Sequence, residues 1–429
     1  MCQKPPAPCP YLCLACRSPL RCCYYSAMSG QARAKLRLMI VAGEPSGDAH
    51  AASLVRALRE GAPGMEFEFF GSTQREMRAA GVESIVGADE LAIVGLMEIG
   101  RVLPEFWRAY QKLKRAGIER QPDAVVLVDW PDFNLRLARY FHRRGIKVIY
   151  YISPQLWAWR EHRIRNIRRD VDLLLAILPF EPEWYAARGV AHVEFTGHPL
   201  TGEVRARYGR EEFCRRHRLD PLRPVVALLP GSRHKELLRI LPPMLEAVKT
   251  IHEVRPETQF VVALSPNRSI EEARAIIDTA IGSNGTGPAN TIRLAQGETR
   301  EALAAADAAA VASGTATLEA ALVHTPLVVV YKESFINWHT LGRLIKTEHF
   351  GLVNLVAGAR IAPELMQNDF TGETLAAELL KLLEADHNAA IRERLRAATE
   401  NLGVGGASKR AAEAVLRVVH EWRNDKSRG

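Results

Sequence analysis

Two series of short, almost uncharged apolar runs restrict the architecture of this chain more than any other feature of its sequence. The first comprises Leu38–Ala42, Phe67–Phe70, Ala124–Val128, Lys147–Ile152 and Leu173–Leu178; the second comprises Val225–Leu229, Phe260–Leu264, Ala308–Ala312 and Leu327–Tyr331. A strand with one wet face alternates apolar and polar residues. Continuous apolar runs of strand length read instead as strands covered on both faces, the mark of a parallel sheet between helical layers. Amphipathic stretches such as Ala49–Arg59 and Leu135–Arg143 lie between them. They supply the crossovers that parallel pairing needs. The polar segment Gly202–Pro224, with Arg215-Arg216-His217-Arg218, separates the two series. At 429 residues the chain is long enough for two cores. The expectation is an α/β protein of two Rossmann-like domains facing a central cleft. Their bounds are residues 36–203 and 204–390, followed by a helical segment, 391–429.

The first 35 residues differ in kind from the rest. They hold six of the seven cysteines, Cys2, Cys9, Cys13, Cys16, Cys22 and Cys23, and five basic residues without an acid. The ligand spacing is irregular for zinc and no histidine accompanies it. Prolines interrupt any signal-like apolar stretch. The segment is expected to be a disordered leader, with Met28 as an alternative start. Of the formal net charge of +8, the leader carries five units, so the body is only mildly basic. That disfavours a nucleic-acid partner. A body nearly free of cysteine suits a reducing compartment. No apolar stretch reaches transmembrane length.

Ligands of open parallel sheets bind beyond the carboxyl ends of the strands. Four motifs stand there. Gly43-Glu44-Pro45-Ser46-Gly47-Asp48 follows the first run and lacks dinucleotide-fingerprint spacing. It serves equally as a site where Ser46 and Gly47 meet a ligand or as a plain turn in which Asp48 caps a helix. In Asp129-Trp130-Pro131-Asp132-Phe133-Asn134, Asp129 ends a strand and is the candidate general base, with Asp132 and Asn134 holding the loop. Leu229-Pro230-Gly231-Ser232-Arg233 joins a turn with exposed N–H groups to a guanidinium, a combination that suits a pyrophosphate. Ser313-Gly314-Thr315 repeats the small-residue turn, and Glu319, one helical turn on, either accepts ribose hydroxyls or partners the helix dipole.

Two further stretches carry signals of their own. In Ser153–Arg160, Trp157 and Arg160 open an arginine-rich helix, which reads as a sugar platform with a basic face for an acidic substrate or anionic lipid. Asp170-Val171-Asp172 precedes a strand and so lies at its amino end, the wrong end for ligands; no metal site is expected there. Across Leu91–Leu113 the apolar residues exceed one helical face. Leu91, Ile93, Val94, Leu96 and Met97 are therefore open to core burial or to lipid contact.

In order along the chain, GEPSGD, ELAIVGLMEI, VDWPDFN, YYISPQLWAWR, ILPFE, FTGHP, LLPGSR and ASGTATLEA resemble the motifs of lipid-A-disaccharide synthases over residues 36–420. Pro45 stands where that family usually has alanine. The resemblance implies a GT-B glycosyltransferase that joins UDP-2,3-diacylglucosamine to 2,3-diacylglucosamine 1-phosphate. It also implies no cofactor, work at the cytoplasmic face of the inner membrane of a Gram-negative-type bacterium, and Asn354 facing the nucleotide. An anionic membrane surface and a homodimer are compatible partners. The nearest rival readings are a UDP-sugar epimerase or another UDP-sugar transferase on the same scaffold.

Overall fold

The computed structural model describes residues 35–89, 99–282, 287–332 and 349–428. The first half contains β1 (Lys35–Val41), α1 (Pro45–Gly61), β2 (Glu66–Thr73), α2 (Arg75–Ala79), β3 (Glu83–Gly87), α3 (Ile99–Arg120), β4 (Ala124–Val128), α4 (Pro131–His142), β5 (Lys147–Tyr151), α5 (Ile164–Asp170), β6 (Leu173–Ala176), α6 (Glu181–Ala186) and β7 (Val193–Phe195). The short helix α7 (Leu200–Glu203) leads to α8 (Arg210–His217). The second half follows with β8 (Val225–Leu229), α9 (His234–Val254), β9 (Gln259–Leu264), α10 (Ile270–Ile281), β10 (Ile292–Gln296), α11 (Thr299–Ala305), β11 (Ala308–Ala312), α12 (Thr315–Leu322), β12 (Leu327–Tyr331), α13 (Leu352–Ala357) and β13 (Glu364–Met366). Helices α14 (Gly372–Leu382), α15 (Ala385–Glu400) and α16 (Ala407–Arg428) close the chain.

Among the described residues the strands form two sheets, ordered β3-β2-β1-β4-β5-β6-β7 and β10-β9-β8-β11-β12-β13. The pairings are parallel, as in Leu38↔Ala124 and Ala310↔Leu228. The uncharged runs form the centres of the sheets. All five residues of β4 are buried, as are those of β8 and β11. Each such Val or Leu contributes roughly 1.5–3 kcal/mol by leaving water. The sheet edges are β3, β7, β10 and β13, and these are the four strands that the apolar pattern does not announce. They are short and partly exposed.

The last helix departs from the expected arrangement. Ala411, Ala412, Val415 and Val418 of α16 belong to the core of the first half, on the face of α1. Arg423 pairs with Asp123 at 2.6 Å and donates to the Lys35 carbonyl. The chain therefore crosses between the halves twice, at residues 196–204 and near 402–407. The crossings touch: His198 N–H donates to the Leu402 carbonyl, and Arg410 Nε donates to the Thr196 carbonyl at 2.7 Å. The carboxyl edge of the first sheet faces the second half, since Trp157, Ile177 and Phe180 pack against the second core.

Candidate active site

Each strand order reverses direction once, between β1 and β4 in the first sheet and between β8 and β11 in the second. A cleft opens at such a reversal, because the crossovers leave to opposite faces. The four strand-end motifs of the sequence follow these four strands, two at each reversal.

At the first reversal the turns after β1 and β4 interlock. The Trp130 indole lies on Gly43 so closely that a Cβ at position 43 would come within 2.1 Å of the ring. Gln74 Nε2 holds the Gly43 carbonyl at 2.9 Å. Asp48 is buried, and its carboxylate accepts the N–H groups of Gln74, Glu76 and Met77 at 2.7, 2.8 and 3.3 Å. It caps α2 and not its own helix. Ser46 is exposed at the start of α1. Gly47 is buried beside Ala42 and Val128, where it seats α1 on the sheet.

Asp129 and Trp130 are both left-handed, with φ of 48° and 52°. Two consecutive non-glycine residues in this region cost about 1–3 kcal/mol each. Buried polar groups hold them there. Asn134, fully buried, donates through Nδ2 to the carbonyls of Asp129 at 2.7 Å and Val128 at 3.2 Å. The Tyr150 hydroxyl donates to the Asp129 carbonyl at 2.6 Å. Trp130 stacks on Phe133 with centroids 4.1 Å apart. The Asp129 backbone is thus bonded while its carboxyl is largely buried. Burial first, and the nearby Glu44 carboxylate second, push its pKa from 3.8 up to about 6. A carboxyl so tuned is ionised at neutral pH and is a stronger base than an ordinary aspartate. Glu44, within the glycine turn, is a site residue that the motif's glycines overshadow in the sequence.

The loop after β5 turns on a residue not singled out in the sequence. Glu181 is buried and accepts from Ser153 Oγ at 2.5 Å, Trp157 Nε1 at 3.2 Å, and the N–H groups of Ile177 and Leu178 at 3.1 and 3.0 Å. Burial raises its pKa against these bonds. Trp157 donates its N–H to Glu181, its partly buried ring meets Phe180 edge-on, and it packs against the second core. Arg160 is left-handed, lies over the Trp159 ring at 4.0 Å and donates to Asp132 at 2.9 Å. Asp170 and Asp172 stand where β6 begins, engaged with Arg169 and Lys147.

At the second reversal the turns after β8 and β11 line one cavity of about 310 Å³, with Gly231, Ser232, Arg233 and Glu236 on one side and Ser313, Gly314, Thr315 and Glu319 on the other. The first turn corrects the expectation of open N–H groups. Glu236 Oε2 accepts the N–H of Ser232 at 2.8 Å and of Arg233 at 3.1 Å, and Oε1 accepts from Arg233 Nη1 at 2.9 Å. Gly231, at φ 112°, makes room for that carboxylate. The Arg233 side chain is 78% exposed, so most of its donors face solvent. In the second turn Ser313 N–H continues the sheet to Val330, and its hydroxyl donates to the Phe350 carbonyl at 3.0 Å. At the opening of α12 the Gly314 and Thr315 N–H groups have no intrahelical acceptor. Glu319 accepts from Arg300 at 3.1 Å, while Arg300 also donates to the Glu203 carbonyl at 2.8 Å and so ties this wall to the crossing between the halves. A second cavity of about 450 Å³ shares Ser265, Thr299 and Glu319 with the first.

Asn354 is the remaining correction. It is fully buried, its Oδ1 accepts from Ile361 and Ala362 N–H, and its Nδ2 donates to the Ala362 carbonyl and to Glu364, each within 2.9 Å. Glu364 in turn accepts the N–H of Gly351 at 2.9 Å. Asn354 is thus spent on these internal bonds and does not line the cavity. Leu91, Ile93, Val94, Leu96 and Met97 lie outside the described residues.

Two Rossmann-like halves, with a cavity between small-residue turns at one reversal and a strained acid at the other, define a GT-B protein, the scaffold of nucleotide-sugar transferases and epimerases. Solved structures agree on the fold. The UDP-GlcNAc 2-epimerase of Neisseria meningitidis, bound to UDP-GlcNAc, matches with a TM-score of 0.60 at 12% identity, covering 90% of this chain and 100% of that one. The calicheamicin glycosyltransferase CalG4 matches with a TM-score of 0.56 at 16% identity, covering 90% and 99%. The sequence is more specific. Residues 38–418 match the family described as Lipid-A-disaccharide synthetase. The Lipid-A-disaccharide synthase of Trichlorobacter lovleyi is 42% identical over 386 residues, 90% of this chain and 98% of that protein. That of Syntrophus aciditrophicus is 43% identical over 383 residues, covering 89% and 97%. The chain belongs to the lipid-A-disaccharide synthase family, glycosyltransferases that form the disaccharide of lipid A.

Proposed function

We propose that this enzyme transfers 2,3-diacylglucosamine from its UDP derivative to the 6-hydroxyl of 2,3-diacylglucosamine 1-phosphate, releasing UDP and the β-1′,6-linked disaccharide 1-phosphate. The observation that carries this reading is the placement of all four strand-end motifs at the two sheet reversals, with the acid in one half and the anion cradle in the other. The donor bond is α and the product bond β, so a single in-line displacement with inversion suffices. Asp129 takes the proton of the attacking hydroxyl. The charge that develops on the departing diphosphate is met by Arg233, by the Gly314 and Thr315 N–H groups and by the positive end of α12. Glu319 holds the ribose hydroxyls.

Both substrates carry acyl chains, and an apolar surface near Asp129 suits them. Trp107 on α3 is 62% exposed and stacks with Tyr110, and Phe106 of the same helix meets Trp130 at 5.8 Å. Among the described residues no helix is long and apolar enough to cross a membrane. We place the enzyme on the inner face of the inner membrane through this apolar surface.

Incubation of the purified protein with both acylated sugars, followed by mass spectrometry of the lipid and assay of UDP, tests the reading. The expected result is equimolar disaccharide 1-phosphate and UDP, dependent on the acceptor. An epimerised UDP-sugar formed without acceptor would overturn it.

A further inference from the structure

We infer that Arg160 and Arg163 bind the anomeric phosphate of the acceptor and thereby distinguish acceptor from donor. The inference rests on the transferase reading above. As that reading has it, the two substrates share the same diacylated sugar and differ in what the anomeric carbon carries. The donor's diphosphate is assigned to the second half, so the first half needs its own cation for the acceptor's phosphate.

Arg160 and Arg163 are placed for this. Asp132 lies in the first turn of α4, three residues beyond Asp129. Its Oδ1 accepts from Arg160 Nη1 at 2.9 Å and also from Arg163 Nη2. Two guanidiniums on one carboxylate leave a net positive charge. Asp132 is 62% exposed, so the triplet is open to a ligand from that side. The Tyr150 hydroxyl donates to the Asp129 carbonyl at 2.6 Å, and Asp132, three residues on, holds both guanidiniums, so the base and the cations are gathered on the one turn that opens α4.

The cations are also held before the ligand arrives. Arg160 lies against the Trp159 ring, and Glu181 anchors the loop that carries it. Positions fixed in advance cost less side-chain entropy on binding. A planar guanidinium pairs with two phosphate oxygens at once, which a lysine ammonium does not.

The experiment compares two acceptors, 2,3-diacylglucosamine with and without the 1-phosphate, using short acyl chains in neutral detergent. Wild type, Arg160→Gln, Arg163→Gln and Arg163→Lys are assayed for kcat, acceptor KM and donor KM, with UDP affinity measured separately. Each glutamine variant is expected to raise the KM for the phosphorylated acceptor about 10- to 100-fold, the loss of one charge-assisted pair. The KM for the unphosphorylated acceptor and the donor should change less than about threefold, and Arg163→Lys should fall between. The unphosphorylated acceptor serves as the folding control. Equal losses with both acceptors, or a phosphate preference unchanged by both glutamine variants, would overturn the inference. So would variants that keep the preference but lose binding to phosphatidylglycerol vesicles, since the arginines would then serve the membrane surface. If wild type makes no disaccharide from either acceptor, the transferase reading fails first and this one with it.

Discussion

The two sheet reversals solve opposite problems with the same topology. After β8 and β11 the unusual backbone angles fall on glycine, Gly231 at φ 112° and Gly314 at φ 154°. Glycine adopts them at little steric cost and leaves room for a ligand or a carboxylate. After β4 they fall on Asp129 and Trp130, for which the same region is strained. Glycine suits the second half because we place leaving-group binding there on backbone N–H groups and a helix terminus. The first half needs a carboxylate and an indole at those positions, and Asn134 and Tyr150 hold the strained loop for them. Strain thus marks the half where we place proton transfer, and permissive backbone marks the half where we place the leaving group.

The largest break in this contrast should come from Asp129→Asn. Loss of the base is expected to lower kcat by about 10²- to 10⁴-fold, while UDP affinity, measured calorimetrically, stays within about twofold. The same variant should be more stable at neutral pH by on the order of 2 kcal/mol, since folding raises the aspartate pKa from 3.8 to about 6 and so opposes its ionisation. The sign follows from the shift: this destabilisation grows as pH rises from about 4 to 6, so denaturant midpoints of the two proteins should converge below pH 4.

Arg233→Ala probes the other half. UDP affinity is expected to fall about tenfold or more through loss of a charge-assisted contact, and the pH profile of kcat should keep its shape. A changed acid limb in that variant would show that the two halves are not separable in function.

Asn134→Ala removes the donor that holds the Asp129 and Val128 carbonyls. It should cost about 1–3 kcal/mol in denaturant unfolding and lower kcat without weakening UDP. Restored activity with stability still reduced would mean that the left-handed loop does not depend on this anchor.

The smallest effect sharpens the comparison. Glu44→Gln removes the second cause of the raised Asp129 pKa and leaves burial, the first, in place. The acid limb of kcat, expected near pH 6 in wild type, should move down by a fraction of a unit. An unmoved limb would assign the shift to burial alone.

Much of the scaffold was legible because burial on both faces writes itself into consecutive residues. Ala124–Val128 and Ala308–Ala312 could be read as central strands for that reason, and the turns after them as lying at the sheet reversals. Glu83–Gly87 and Glu364–Met366 could not, because an edge strand with one wet face carries a pattern that loops also carry. Glu236 left a local trace, an acid three residues after the cap position of a helix, which signals a capping interaction and was overshadowed by the glycine motif. Glu181 left none, and Asp48 was legible as a helix cap but not as the cap of α2, a helix distant in the chain. Their partners include Ser153 and Gln74, more than 25 residues away, and nothing in the spacing names them.

What the sequence determined by itself is the set of apolar runs, the small-residue turns that end them and the chemical groups those turns carry, since each depends on neighbours in the chain. Tertiary structure alone decided which carboxylates are spent on backbone N–H groups and which remain for substrate, and gave the last helix to the first sheet. Those outcomes depend on which distant segments meet after the sheets form, and hydrogen-bond partners across such distances are chosen by packing rather than by sequence proximity.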